Sequence, residues 1–149
     1  MAEPLNTLAR AIIAKWIATP TLTTLITGGL WFGERPSDAE QNPANGTFYP
    51  YAVFPPAENR ARLANYTCGT EISEIDILIR VYGTNPELCA TYAAAVKAIY
   101  DSDALSLSLA EGSVVRHRPG GDVRYLQADK HVFYVDLPYE FLTQRDRPA

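Results

Sequence analysis

The chain has 149 residues, 47% of them hydrophobic and 20% charged, with a formal net charge of −4. That length and apolar content suit one domain with its own core and exclude a wholly disordered chain. The acidic balance excludes a general basic surface for gripping nucleic acid, although a local patch is compatible with it.

In chain order, Pro4 suits a first helical turn, and Leu5, Leu8, Ala9, Ile12 and Trp16 recur at three- and four-residue spacing. Ile13 and Ile17 widen that stripe, while Asn6, Arg10 and Lys15 fall outside it. An amphipathic helix is predicted from Leu5 to about Ala18, stopped by Thr19-Pro20. Its stripe is wide for one packing partner. Arg10 and Lys15 interrupt the apolar run, so it reads as part of the fold and not as a secretion signal. No uncharged apolar stretch approaches the roughly 20 residues that span a bilayer, and no membrane role is expected.

Thr21 to Ile26 predicts a second, short helix closed by Gly28-Gly29, one of which takes the left-handed cap. Leu30-Trp31-Phe32 forms an apolar knot, followed by Gly33 to Pro36 and a polar surface loop from Ser37 to Thr47. Tyr49 to Phe54, fenced by Pro50 and Pro55, is a short strand. Arg60 and Arg62 lie in a polar connector. From Thr70 the alternation is strong: Ser73, Ile75, Ile77, Ile79 and Val81 on one face, Glu74, Asp76, Leu78, Arg80 and Tyr82 on the other. The first face belongs in a core and the second faces water or a partner.

Asn85 and Pro86 are an N-cap and first helical residue for a helix running to about Asp101. Its expected buried stripe is Leu88, Tyr92, Val96 and Ile99, with Ala93 to Ala95 allowing close approach to a sheet. Leu105, Leu107 and Leu109 alternate with polar or small residues in an extended approach to a strand from Gly112 to Arg118. A loop is expected from Pro119 to Asp129, then a long last strand from Val132 to Phe141. Pro138 cannot donate to a ladder, so the strand must lie there on an edge or at a bulge.

This order predicts an α+β two-layer sandwich: an antiparallel or mixed sheet of about four strands, with the N-terminal helix and one central helix packed on one face. A single domain spans residues 1–149, with 143–149 as a flexible tail.

The chemical inventory is sparse. His117 and His131 are the only histidines, and no ligand spacing around them suggests a metal. Cys68 and Cys89 make neither a zinc site nor a disulfide scaffold, and both are expected reduced in a cytoplasmic setting. Gly28-Gly29 and Gly120-Gly121 match no dinucleotide or phosphate-binding motif, so no cofactor is expected. Glu74 and Asp76 share a strand face and can be read as an acid–base pair or as a solvated row with Arg80. Arg116, Arg118, Arg124 and Lys130, with His117, make a locally basic region suited to salt bridges or weak phosphate contact.

Taken in order, these pieces resemble the tail terminator or tail completion proteins of long-tailed bacteriophages. The resemblance is carried by the N-terminal helix, the short second helix, Leu30 to Pro36, the proline-aromatic Tyr49 to Phe54, Ile75 to Tyr82, the alanine-rich helix and Val132 to Phe141. It implies a non-enzymatic structural protein of the virion's tail–neck region, assembled in the host cytoplasm. It implies a homo-oligomeric ring, six-fold in that family, at the head-proximal end of the tail tube. Such a ring would stop tube polymerisation and meet a head connector or stopper protein, with DNA passing through its lumen unread. Ring closure needs one patch to meet a different patch. The outward row Glu74, Asp76, Arg80 and Tyr82 and the basic group Arg116, Arg118 and Arg124 are the candidate subunit or ring contacts. The alternatives are another neck ring of head-completion or stopper type, a small hydrolase using His117 or His131, and a nucleic-acid-binding module.

Overall fold

Two long strands form the spine of the sheet, and everything else is laid against them. The computed structural model describes residues 4–32, 50–55, 60–67, 69–129 and 132–146. The spine strands are β4 (Thr70–Gly83) and β7 (Val132–Asp146). They pair antiparallel without a break from Thr70↔Asp146 to Gly83↔Phe133. Along one edge of β4 lie, in tandem, β3 (Arg60–Thr67) and β2 (Tyr51–Phe54), with β1 (Leu30–Phe32) parallel beside β2. Along the far edge of β7 lie β5 (Ser113–Pro119) and β6 (Arg124–Asp129). Three helices complete the described residues: α1 (Pro4–Ile17), α2 (Pro20–Leu25) and α3 (Pro86–Tyr100).

The fold is therefore α+β with a mixed sheet, as expected, but the sheet has seven strands and not about four. The three additions have short or polar sequences. β1 spans only Leu30 to Phe32, too few residues to show a period. β3 and β6 each pair with a single neighbour, and such edge strands tolerate polar residues on both faces. The connector around Arg62 and the loop after Pro119 are thus largely strand. The last strand also runs past Phe141 to Asp146, because β4 supplies partners as far as Thr70. Arg145 sits there between Glu71 and Glu111, 3.2 Å from a carboxylate oxygen of each, where the sequence reading placed a flexible tail. Expectations resting on Gly33 to Tyr49, Cys68, Lys130, His131 and Arg147 to Ala149 lie outside the described residues.

Alternation decides which face is buried. Ile75, Ile77, Ile79 and Val81 oppose Phe141, Tyr139, Leu137 and Val135, and all eight are buried. Onto this face pack Leu8, Ile12 and Trp16 of α1, Leu22 of α2, and Tyr92, Val96 and Tyr100 of α3. The Tyr100 hydroxyl donates to the Ile12 carbonyl at 2.8 Å, and its ring stacks with Trp16, so α3 is tied to α1 at the centre of the core. The capping expected for α3 is present, with Leu88 N donating to Asn85 Oδ1 at 2.9 Å. Tyr92 and Val96 of its expected stripe are buried, as is Cys89, but Tyr100 joins them and Leu88 is 37% exposed. No helix among the described residues is long and apolar enough to cross a membrane.

Two local features depend on backbone chemistry. Pro138 is in an interior strand, not an edge strand, yet its missing donor causes no orphan. Its carbonyl accepts from Gly120 N on the β5 side, so its nitrogen faces the gap where β6 pairing ends at Asp136 and β5 pairing begins at Tyr139. The left-handed residue near α2 is Gly29, at φ 80°, which lies beyond the C-cap Ile26 and turns the chain into β1.

Gly112 has φ +83°, and a Cβ there would stand 2.1 Å from the Gln144 carbonyl oxygen and 2.8 Å from Arg145 Cβ. Gly112→Ala should therefore lower stability by about 1–3 kcal/mol, read as a shifted denaturant midpoint. A second expectation concerns alkaline pH. Burial pushes the Tyr100 hydroxyl well above the usual phenol range, and burial pushes Tyr139 the same way, with the Asp101 carboxylate beside it adding to the effect. Tyr139 Oη and Asp101 Oδ1 nonetheless make no hydrogen bond of full geometry, so burial is the dominant cause. Both phenols stay protonated when folded and ionise near pH 10 once unfolded, so stability should hold below about pH 10 and fall progressively above it. Tyr139→Phe should flatten that alkaline limb in urea midpoints measured from pH 8 to 11.

Candidate functional site

The face of the sheet opposite the helices carries the residues singled out from sequence. No described element packs on it. Strand register sets its pattern as cross-strand rows. One row runs Arg62, Glu74, Leu142, Arg116, and the next passes through Asp76, Glu140 and Arg118. Past the Leu78–Pro138 pair, a third row runs Val53, Arg80, Asp136, Arg124, and a fourth Tyr51, Tyr82, Tyr134, Leu126. Glu74, Asp76, Arg80, Tyr82, Arg116, Arg118 and Arg124 thus share one face, although they come from three strands.

The ion pairs on this face differ in worth. Arg62 Nε donates to Glu74 at 2.7 Å and Arg118 Nε donates to Glu140 at 2.7 Å. Both pairs are solvent-exposed and contribute about 0–1 kcal/mol each. They matter more for neutralising a local repulsion, since Asp76 and Glu140 stand directly opposite one another. Arg80 and Asp136 are different. The guanidinium donates to both carboxylate oxygens, at 2.8 and 3.1 Å, and the Asp136 side chain is only 7% exposed. The Asp136 hydrogen bond holds the Arg80 guanidinium even more firmly protonated than usual. The same guanidinium lies 4.4 Å over the Tyr134 ring. Tyr82 packs between Tyr51 and Tyr134, with centroids 4.8 and 5.5 Å apart. The ring faces are spent on one another and on Arg80, so this cluster braces the sheet and offers no stacking platform for bases.

Chemically, the face is a broad surface with shallow hollows. The one between Arg62, Glu74, Asp76, Arg116, Arg118 and Glu140 encloses about 150 Å³, and the one beside Arg80, Arg124, Tyr134 and Asp136 about 330 Å³, at the lower end of the roughly 300–1,000 Å³ of small-molecule sites. Of the Glu74–Asp76 pair readable as acid and base, Glu74 is engaged by Arg62, which suits an ion-paired row better. Among the described residues no group of three or more His, Cys, Asp and Glu side chains can hold a metal ion. His117 points to the other face, stacks on Phe141, and its Nε2 lies 2.9 Å from the Ser102 carbonyl oxygen. It ties the coil after α3 to β5. Cys89 is free and buried, and burial pushes its thiol up, away from reactivity.

A surface of braced charges over a rigid sheet is what an assembly protein presents, and comparison with known proteins agrees. The model of the family described as Tail completion protein gp17 matches residues 10–144. The chain belongs to that family. A chain from the virion of a native gene transfer agent (GTA) particle has the same fold, at a TM-score of 0.70 and 18% sequence identity, over 96% of this chain and 99% of that one. No curated protein matches the chain significantly. As a tail completion protein it is a structural component of a phage-like virion, and the residues matched include all seven candidates on the open face.

Sequence reasoning missed the partners of those candidates. Asp136 and Glu140 occupy outward slots of the last strand's alternation, where they were visible, but the register that sets Asp136 on Arg80 was not. Arg80→Ala leaves a buried carboxylate without its cation and should cost on the order of 3 kcal/mol. Arg62→Ala, by contrast, should stay within about 1 kcal/mol of the parent in the same urea titration. Equal losses from the two variants would contradict the distinction drawn here.

Proposed function

We propose that this tail completion protein assembles as a ring, six-fold by analogy with the family it resembles, on the head-proximal end of a tail tube. It ends tube polymerisation there and presents its opposite surface to a head connector or stopper protein. DNA passes through the lumen without sequence-specific contact. The observation that carries this reading is the family match over residues 10–144. The open face supports it, since its charged rows suit a partner protein. The role is assembly, without catalysis or a cofactor. The net charge of −4 also suits a conduit along which DNA must slide.

Tube-forming protein polymerised with and without this chain tests the reading. Electron microscopy should show an added ring at one end of each tube and arrested growth at that end. Tubes that lengthen unchanged, with no ring at either end, would sink it. Binding to the connector but never to tube ends would instead favour a stopper-type neck ring.

A further inference from the structure

The wide apolar stripe of α1 is only partly used by the core. Ile17 is 69% exposed, and Trp31 and Phe32 on β1 are 38% and 46% exposed. With Ile13 and Ile26 they border a groove of about 400 Å³ at the β1 edge of the molecule, and none of the residues lining it carries a charge. Exposed apolar clusters of this kind mark contact sites more often than isolated apolar residues do. Arg10 is exposed on the same strip of α1, three and seven residues before Ile13 and Ile17. From Pro4 to Phe32 the chain carries Arg10 and Lys15 and no carboxylate, in a protein of net charge −4. The groove is thus an uncharged apolar site in a stretch of chain whose only charges are basic.

A counterpart stands on the opposite edge of the sheet. At the Gly83 end the strands run β1, β2, β4, β7, β6, so the groove and β6 are separated by roughly 19 Å at about 4.8 Å per strand. On β6, Tyr125 is 53% exposed, and Leu88 at the start of α3 is 37% exposed. Tyr125 also forms one wall, with Pro86 and Phe133, of a shallow hollow of about 210 Å³ that Leu88 does not line. Glu87, in the first turn of α3, is exposed next to Leu88. One edge therefore offers an apolar groove with a cation, and the other an apolar ridge with an anion.

We infer that the groove of Ile13, Ile17 and Phe32 receives the Leu88–Tyr125 ridge of a second copy, with Arg10 of one copy facing Glu87 of the next. Two different patches at opposite edges make a head-to-tail contact, the kind that closes a ring or propagates. The charges set the direction and register of docking, while the apolar contact supplies most of the affinity. This inference rests on the ring reading above and names the surfaces that build the ring. It also leaves the charged open face to partners other than the neighbouring copy.

The test uses the full chain, with assembly read by sedimentation at high protein concentration and by ring counting on tail-tube ends. Ile17→Glu and Tyr125→Glu alter exposed side chains, so thermal unfolding should match the parent while assembly weakens about tenfold or more. Arg10→Glu and Glu87→Arg should each weaken assembly several-fold, and the double variant should recover most of the loss. If the parent forms rings and these variants form them equally well, the edge-to-edge contact is wrong and the ring reading stands. A charge-swap pair showing no recovery removes the Arg10–Glu87 register. A parent that is monomeric in solution and absent from tube ends overturns the ring reading, and this contact with it.

Discussion

Everything in this molecule depends on the unbroken pairing of β4 with β7. The two strands fix each other's register over their whole common length, and that register alone decides which side chains meet. On the helix face it lines Ile75, Ile77, Ile79 and Val81 against Phe141, Tyr139, Leu137 and Val135. On the open face it sets Arg80 on Asp136 and Tyr82 on Tyr134. A slip by one residue would send the isoleucines to solvent and the charges into the core, so the buried face itself guards the register. The bidentate Arg80–Asp136 pair acts as a second lock, because a nearly buried carboxylate tolerates no register in which its cation is missing.

The spine also explains why one protein has two surfaces of different character. α1, α2 and α3 all bury against the same side, leaving the other side to side chains that satisfy one another laterally. Among the described elements none packs over that face. Three of its arginines are paired with carboxylates, and its tyrosine rings are packed among themselves. The edges differ again, since strand edges and helix ends leave apolar side chains such as Ile17 and Tyr125 only partly covered.

Much of this was legible in the sequence. The strict alternation from Ser73 to Tyr82 assigned both faces of β4 correctly, and Asn85-Pro86 marked the start of α3. The exposed remainder of α1 was foreshadowed by the excess width of its stripe at Ile13 and Ile17. What stayed hidden was non-local. Arg60 to Thr67 shows no apolar alternation because its strand is held by one neighbour, and Leu30 to Phe32 is too short to show a period. Pairing partners such as Asp136 for Arg80 lie 56 residues apart in sequence, and no local pattern encodes that distance. Leu88 misled for a simpler reason. At the first turn of a helix the burial stripe is not yet set by the sheet below, and Cys89 took the inward position.

The tandem placement of β2 and β3 on one edge of β4, and of β5 and β6 on one edge of β7, has a consequence for how the chain is made. Each flanking strand is anchored to one half of a spine strand, yet the spine exists only when both halves meet. β7 follows every other described element, so during synthesis β4 emerges, is flanked on one side, and then waits with its other edge bare until the final strand appears. Contacts of such long sequence separation form slowly, because the loop between them must close before any pairing rewards it. The growing chain therefore passes through a stage with an unpaired inner edge, the kind of intermediate that chaperones attend. The open face, built from both spine strands, comes into being only at that last pairing. A nascent copy cannot engage a virion partner through that face until its own fold is closed.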